Sequence, residues 1–364
     1  MNKHEFLGKG GMKLKKILII VSSLDRTGPG FVVESLVKTW TKKNQANICI
    51  VAISDSEESI QLANNVSVYH LHQLHGKVPS QTINMVKKIV DQFDPDVIMS
   101  HGLRADVVNS KIKSKKAIQM STSHNNPFED YTPQFGFRGV AMAFLQMYTF
   151  NKLDLVITLN PKLQMIHKLF LFKPKVCLIP NGSEKITVNR YDTSNEIRFG
   201  CVASFNARKN QKQILNQFMN IDDSKITFWG SGNLLELLRK KYTKKNIIFA
   251  GKSNNKSEIY DSFDVLISSS KSEGLPLSVI EAISAGKPLI LSKIPAHEFI
   301  TRDMDQRYFR LFSDDKSLAE AIEYFKNNRN IVLDASLYFE KFFESSFSME
   351  RIATNYIKTI EKIK

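Results

Sequence analysis

Short apolar runs recur along this chain, each closed by a polar turn. Residues 16–21 are apolar without a break from Ile17 on. This run is too short for a buried helix and suits a strand covered on both faces. A polar turn at 22–30 follows, then a helical pattern to about Lys43. Further runs at 48–53, 66–70, 96–100, 117–121, 155–159 and 176–179 predict strands. Segments such as 81–93 and 138–152 predict helices between them. This alternation argues for a mostly parallel sheet with helices on both faces. After Pro180-Asn181-Gly182 the pattern lapses, and 183–196 reads as a polar linker. The rhythm then restarts, with runs at 197–203, 226–230, 247–251, 264–268, 288–292 and 308–312.

The expected architecture is α/β, with two Rossmann-like doubly wound domains facing across a cleft. Residues 1–186 form the first and 187–345 the second; a chain of 364 residues is too long for one ordinary core. Residues 346–364 read as an amphipathic helix, with Ile352, Tyr356, Ile360 and Ile363 on one face, packing back on the first domain. In open α/β sheets ligands bind at the carboxyl edge of the strands, so the turns there are where chemistry is expected.

Composition narrows the class. No apolar run reaches the length of a membrane span, and the amino-terminal apolar stretch is too brief for a signal peptide, so the expected location is cytoplasmic. Cys49, Cys177 and Cys201 are far apart inside strand-like runs, which fits buried thiols and no disulfide framework. The net charge is +15, of which the first 186 residues carry +10. That excess implies an anionic partner: a phosphate-bearing substrate, an acidic membrane surface or nucleic acid. No aromatic stacking platform accompanies the charge, which argues against nucleic acid.

The most informative segment is residues 268–282, SSSKSEGLPLSVIEA. It leaves a predicted strand, turns at Gly274 and opens a helix with Pro276 in the first helical position. The amides of Gly274, Leu275, Leu277 and Ser278 then point from a helix amino terminus, an anion site of diphosphate size. Glu281 lies one turn beyond Leu277, where its carboxylate could accept two hydrogen bonds from a ribose diol. Glu273 sits on the other side of the presumed phosphate, where a transferred group would project.

This Glu-x7-Glu segment, followed by Ala-Ile-Ser-Ala-Gly-Lys-Pro, resembles the retaining GT-B glycosyltransferases of family 4. Pro180-Asn181-Gly182 and Gly230-Ser231-Gly232 match the same pattern in order, and the resemblance covers nearly the whole chain. It implies that Glu281 binds the donor ribose, that Glu273 holds hydroxyls of the donor sugar at the reacting carbon, and that the amides from Gly274 to Leu277 bind the diphosphate. Gly232 belongs to the donor site, and Gly251 with Lys252 would flank the base. Lys209 matches a family lysine that grips the diphosphate. The family arginine falls on Ser204, and Arg208 is the candidate to replace it, since a guanidinium binds phosphate in a bidentate way.

Other candidates lie in the first domain. Residues 26–30 link its first strand to its helix; the resemblance places this loop, with Gly28 and Gly30, under the reacting centre, Gly30 for close backbone approach. His101 and His124 each end a predicted strand, and the resemblance places His124 beside the donor sugar. His70, His72 and His75 look metal-like but lack a nearby Cys or acidic partner. Asp94-Pro95-Asp96 precedes a strand at its amino end, the wrong edge for a catalytic metal. Residues 167–175 interleave lysine with Leu and Phe, and Lys111, Lys113, Lys115 and Lys116 form a second cluster; such patches can seat a protein on an anionic inner leaflet.

Together these readings predict a metal-independent, cofactor-free retaining glycosyltransferase, peripheral on the inner face of the cell membrane. It would move a sugar from a nucleotide sugar, with a UDP-sugar as the expected donor, to a hydroxyl of a lipid-linked saccharide. A nucleotide-sugar 2-epimerase shares the two-domain architecture, but the Glu-x7-Glu layout argues against it.

Overall fold

The computed structural model describes residues 15–56, 59–60, 62, 65–74, 76–188 and 196–363, the side chain of Gln134 aside. His75 and residues 189–195 of the expected linker lie outside them. The chain divides into two compact units, Met1–Pro180 with Ile352–Lys364, and Asn181–Arg351.

The first unit holds seven parallel strands: β1 (Lys15–Val21), β2 (Ala46–Ala52), β3 (Ser67–His70), β4 (Val97–His101), β5 (Ile118–Ser123), β6 (Leu155–Thr158) and β7 (Lys175–Leu178). Their spatial order is β3-β2-β1-β4-β5-β6-β7. Residues Ile17 to Ile20 of β1 are fully buried, as expected of a central strand covered by helices on both faces. The closing helix, Met349–Glu361, buries Ile352, Tyr356 and Ile360 in its sequence-predicted face. Trp40 donates its indole N–H to the Ala353 carbonyl at 3.1 Å, and the Tyr356 hydroxyl meets Thr122 Oγ1 at 3.1 Å. Ile363 falls past the end of that helix and is half-buried.

The second unit has six parallel strands: β8 (Arg198–Val202), β9 (Lys225–Trp229), β10 (Ile247–Gly251), β11 (Val265–Ser268), β12 (Leu289–Ser292) and β13 (Phe309–Phe312), in the order β10-β9-β8-β11-β12-β13. Its core joins Phe199, Phe218, Phe228 and Phe325 across the sheet and its flanking helices. Residues 181–186, assigned to the first domain from sequence, pack here instead. The Ser183 N–H donates to Phe347 O at 3.0 Å, and the Ile186 N–H to Ser284 Oγ at 2.8 Å.

In both sheets the chain runs outward in one direction and then reverses. The reversal falls between β1 and β4 in the first unit and between β8 and β11 in the second. Loops leaving two such neighbouring strands diverge to opposite faces and leave a crevice, the usual ligand position in open α/β sheets.

Candidate active site

The crevice of the second unit is built by the loop after β8 and the loop after β11. Asn206 shapes the first: its Oδ1 accepts from the amides of Arg208 and Lys209, both at 3.1 Å. Asn210 then takes a left-handed conformation, with φ of 52°. The second loop is sewn to the first. Ser269 Oγ donates to the carbonyls of Lys209 and Asn210, and the Lys271 N–H donates to Arg208 O at 2.8 Å.

This backbone register brings three charged side chains together. Arg208 Nη1 donates to Glu273 Oε2 at 2.7 Å and to Ser272 O at 2.8 Å, while Lys209 Nζ donates to Glu273 Oε1. The Glu273 side chain is only 6% exposed. Burial acts to raise its carboxyl, but the Lys209 and Arg208 charges, with hydrogen bonds from Lys209 and Ser270, outweigh burial and hold it at about 2. Glu273 is therefore a fixed anion, and the two expected phosphate grips are gathered on it. Ser204, where the resemblance wanted an arginine, accepts from Asn206 Nδ2 at 3.0 Å; the guanidinium in this cluster is that of Arg208.

The helix after the second loop runs Leu277–Ser284. Pro276 is not its first residue, as expected from sequence, but its cap. With ψ of 121° the proline is extended, and its carbonyl accepts the first helical bonds, from Val279 and Ile280. The amides of Leu277 and Ser278 open the helix. Asn181 Nδ2 donates to the Leu275 carbonyl at 2.8 Å, so the end of the Pro180-Asn181-Gly182 turn fixes this loop. One turn into the helix, Glu281 accepts from the Tyr260 hydroxyl at 2.8 Å and pairs with Lys256 at 2.6 Å. Neither partner was evident from sequence.

The flanking glycines have packing roles. Gly232, with φ of 151°, lies against the backbone of Phe205, where any Cβ would collide. This holds the turn after β9 close to the loop after β8. Gly251 closes β10 with φ of 80°, its carbonyl accepting from the Gly230 N–H at 2.7 Å, and Lys252 beside it is exposed.

His297 was missed; it lies in the helix Pro295–Thr301 that follows β12, not at a strand end. It is fully buried, and its Nδ1–H donates to Ser292 O at 2.8 Å. Burial is the largest influence on it and lowers it to about 4; Glu273 and Lys209 are among the charges it feels. Its Nε2 has no hydrogen-bond partner among the described residues.

In the first unit, His101 and His124 form one pair, Nδ1 to Nε2 at 2.8 Å, at the ends of neighbouring β4 and β5. One ring donates and the other accepts. Burial lowers both, His124 to about 4, and His124 lowers His101 further. Gly28 and Gly30 are not a loop but the first turn of the helix Gly28–Lys42. A Cβ at Gly30 would strike the Asp25 carbonyl, so the close approach is to its own chain. Asp96 accepts from the Lys16 amide of β1 at 2.9 Å, and Asp94 forms an exposed ion pair with Lys116. Among the described residues no group of three His, Cys, Asp or Glu side chains is placed to hold a metal.

Comparison with known proteins agrees with this geometry. Residues 186–339 match the family model "Glycosyl transferases group 1". The chain is similar to the O-antigen biosynthesis glycosyltransferase WclY of Escherichia coli, 23% identical over 94% of this chain and 96% of that one. Its fold superposes on sucrose-phosphate synthase from Thermosynechococcus elongatus with a TM-score of 0.82 at 14% identity, covering 96% and 99% of the two chains. It also superposes on Anabaena HepE, solved with UDP and glucose, with a TM-score of 0.78 at 14% identity, covering 95% and 99%. The matched stretch, residues 186–339, contains the whole Glu-x7-Glu segment and both loops of the crevice, and the two Rossmann-like sheets have the GT-B-like fold of these solved structures.

Proposed function

We propose that this protein is a retaining, metal-independent glycosyltransferase. It moves a sugar from a UDP-sugar to a hydroxyl of a lipid-linked saccharide during surface polysaccharide synthesis, at the inner face of the cell membrane. The observation that carries this reading is the cluster of Arg208, Lys209 and buried Glu273 between the ends of β8 and β11, beside the amino end of the helix Leu277–Ser284. Two cations and a helix terminus suit a diphosphate. Glu281, one turn on, takes the ribose diol in place of its bonds to Tyr260 and Lys256. Glu273 holds the sugar hydroxyls near the carbon whose bond breaks.

In retention with a single displacement, the acceptor hydroxyl attacks from the face the diphosphate leaves, and a departing phosphate oxygen takes its proton. The new glycosidic bond forms as the sugar–phosphate bond breaks, and the nucleoside diphosphate leaves protonated. The phosphate charge is carried by Arg208, Lys209 and the amides, so this route asks for no metal. The first unit takes the acceptor, with the His101–His124 pair and the Gly28–Gly30 turn at its crevice. The name of the Escherichia coli relative supports an O-antigen-type product, and UDP in the Anabaena structure supports the donor base.

The membrane part of the proposal rests on an exposed face of the first unit. Phe137 and Phe172 are 96% and 88% exposed, and Phe144, Tyr148 and Leu169 are exposed with them. Phe128 bridges Phe144 and Phe170, at ring distances of 5.3 and 5.6 Å, which joins the two helices that carry this face. Lys168, Lys173 and Lys175 are exposed around it. Among the described residues no helix is long and apolar enough to cross a membrane.

The test is a donor screen by release of UDP, GDP and ADP, with extracted lipid-linked saccharides as acceptor and excess chelator present. Release of UDP that depends on acceptor and survives the chelator is the expected result. Loss of all activity, restored by Mn²⁺, contradicts metal independence; an isomerised free sugar in the absence of acceptor contradicts transfer.

A further inference from the structure

The two cations expected to hold phosphate already have an anion. Glu273 occupies Arg208 through Oε2 and Lys209 through Oε1. Exposure is graded across the cluster: the side chain of Arg208 is 28% exposed, Lys209 14% and Glu273 6%. An incoming anion therefore meets the guanidinium first and the carboxylate last. We propose that Glu273 is a resident counter-ion that the diphosphate of the donor displaces from Arg208 and Lys209, and that this displacement frees its carboxylate for the hydroxyls of the donor sugar. The inference rests on the diphosphate reading given above and adds an order of events to it.

Two neighbouring cations with little solvent around them are costly unless an anion neutralises them. Glu273 does so, and with it the loops after β8 and β11 keep their register when no donor is bound. One carboxylate leaves the pair of cations with a net positive charge, so a polyanion that spans both can outcompete it. A diphosphate has the charge and the length to do so, whereas a free sugar has neither. Finally, a carboxylate that has lost its cations while still buried needs hydrogen-bond donors. Sugar hydroxyls delivered on the same diphosphate supply them. Glu273 thus becomes competent only for a sugar that arrives attached to a diphosphate.

Calorimetric binding of inorganic pyrophosphate, which lacks sugar, base and ribose, tests this directly. Glu273→Gln keeps the shape and removes the competing charge, so it should bind pyrophosphate about tenfold more tightly than the wild type. Lys209→Met should bind it at least tenfold more weakly. If Lys209→Met weakens binding but Glu273→Gln does not tighten it, the diphosphate site stands and the exchange is overturned. If neither variant changes the affinity, the diphosphate site and the exchange fall together. Should Glu273→Gln not fold, a crystal structure of the wild type with pyrophosphate decides. A phosphate oxygen on Lys209 Nζ, with Glu273 Oε1 more than 4 Å away, supports the exchange; Glu273 still paired with both cations overturns it.

Discussion

Each unit encloses a carboxylate close to the reversal of its sheet, and the two behave as opposites. Asp106 in the first unit accepts from Ser100 Oγ at 2.7 Å, Ser121 Oγ at 2.6 Å and Gln146 Nε2 at 2.8 Å. Among the described residues no cation pairs with it. Burial raises it to about 6 against the pull of those three hydrogen bonds. The Glu273 side chain is 6% exposed, yet two cations bring it to about 2. Burial alone thus pushes a carboxylate toward neutrality, and neighbouring charge decides the outcome. Asp106 ties two strands and the helix Phe137–Phe150 together through neutral donors, a structural task. Glu273 instead pairs with two cations, the arrangement on which the proposed donor site rests.

Removing each carboxylate should separate the two roles. Glu273→Ala should lower kcat about 10²-fold or more, roughly 3 kcal/mol of transition-state stabilisation. Asp106→Ala should leave kcat per folded molecule within about twofold while reducing stability. Steady-state rates beside urea unfolding check both, and comparable losses of kcat would erase the distinction.

Their pH dependences should run in opposite directions. Asp106 is raised from 3.8 to about 6, so the folded protein keeps a proton there that the unfolded chain releases. Its contribution to stability is greatest below pH 4 and declines by on the order of 3 kcal/mol as pH rises through 6. Glu273 is lowered from 4.5 to about 2, so its contribution is full above pH 4.5 and is lost as pH falls through 2. Unfolding of Asp106→Asn between pH 4 and 7 should show a flatter profile than the wild type; an unchanged profile would mean that Asp106 does not titrate in that window.

The smallest expected effect concerns the exposed face of the first unit. Lys168→Glu and Lys173→Glu should each weaken binding to anionic vesicles by about 1 kcal/mol or more, and salt near 0.5 M should weaken it strongly. Vesicle sedimentation that ignores both changes would remove the membrane from the account.

The strands were legible because a parallel strand covered on both faces is a run of apolar residues, and β1 or β12 reads as nothing else. The helix Pro127–Phe135 was not read, since Pro133 lies within it. Glu273 and Glu281 were legible from spacing along one segment. Their partners were not: Arg208 and Lys209 reach Glu273 only because β8 and β11 are neighbours in the sheet, and His101 meets His124 only because β4 and β5 are. Sequence spacing cannot supply that adjacency. Gly30 was singled out for close approach to the reacting centre; the approach the structure shows is to the Asp25 carbonyl, a contact set by the turn into the helix.

The central claim is that the two glutamates of the Glu-x7-Glu segment serve opposite ends of one donor, and calorimetry of UDP binding tests it most directly. Glu281→Ala removes a ribose contact present throughout the reaction, so UDP affinity should fall about tenfold and donor KM should rise more than kcat falls. Glu273→Ala removes a contact to a sugar that UDP lacks, so UDP affinity should not fall. Weaker UDP binding for Glu273→Ala with unchanged binding for Glu281→Ala would contradict the account and reverse the donor in its site.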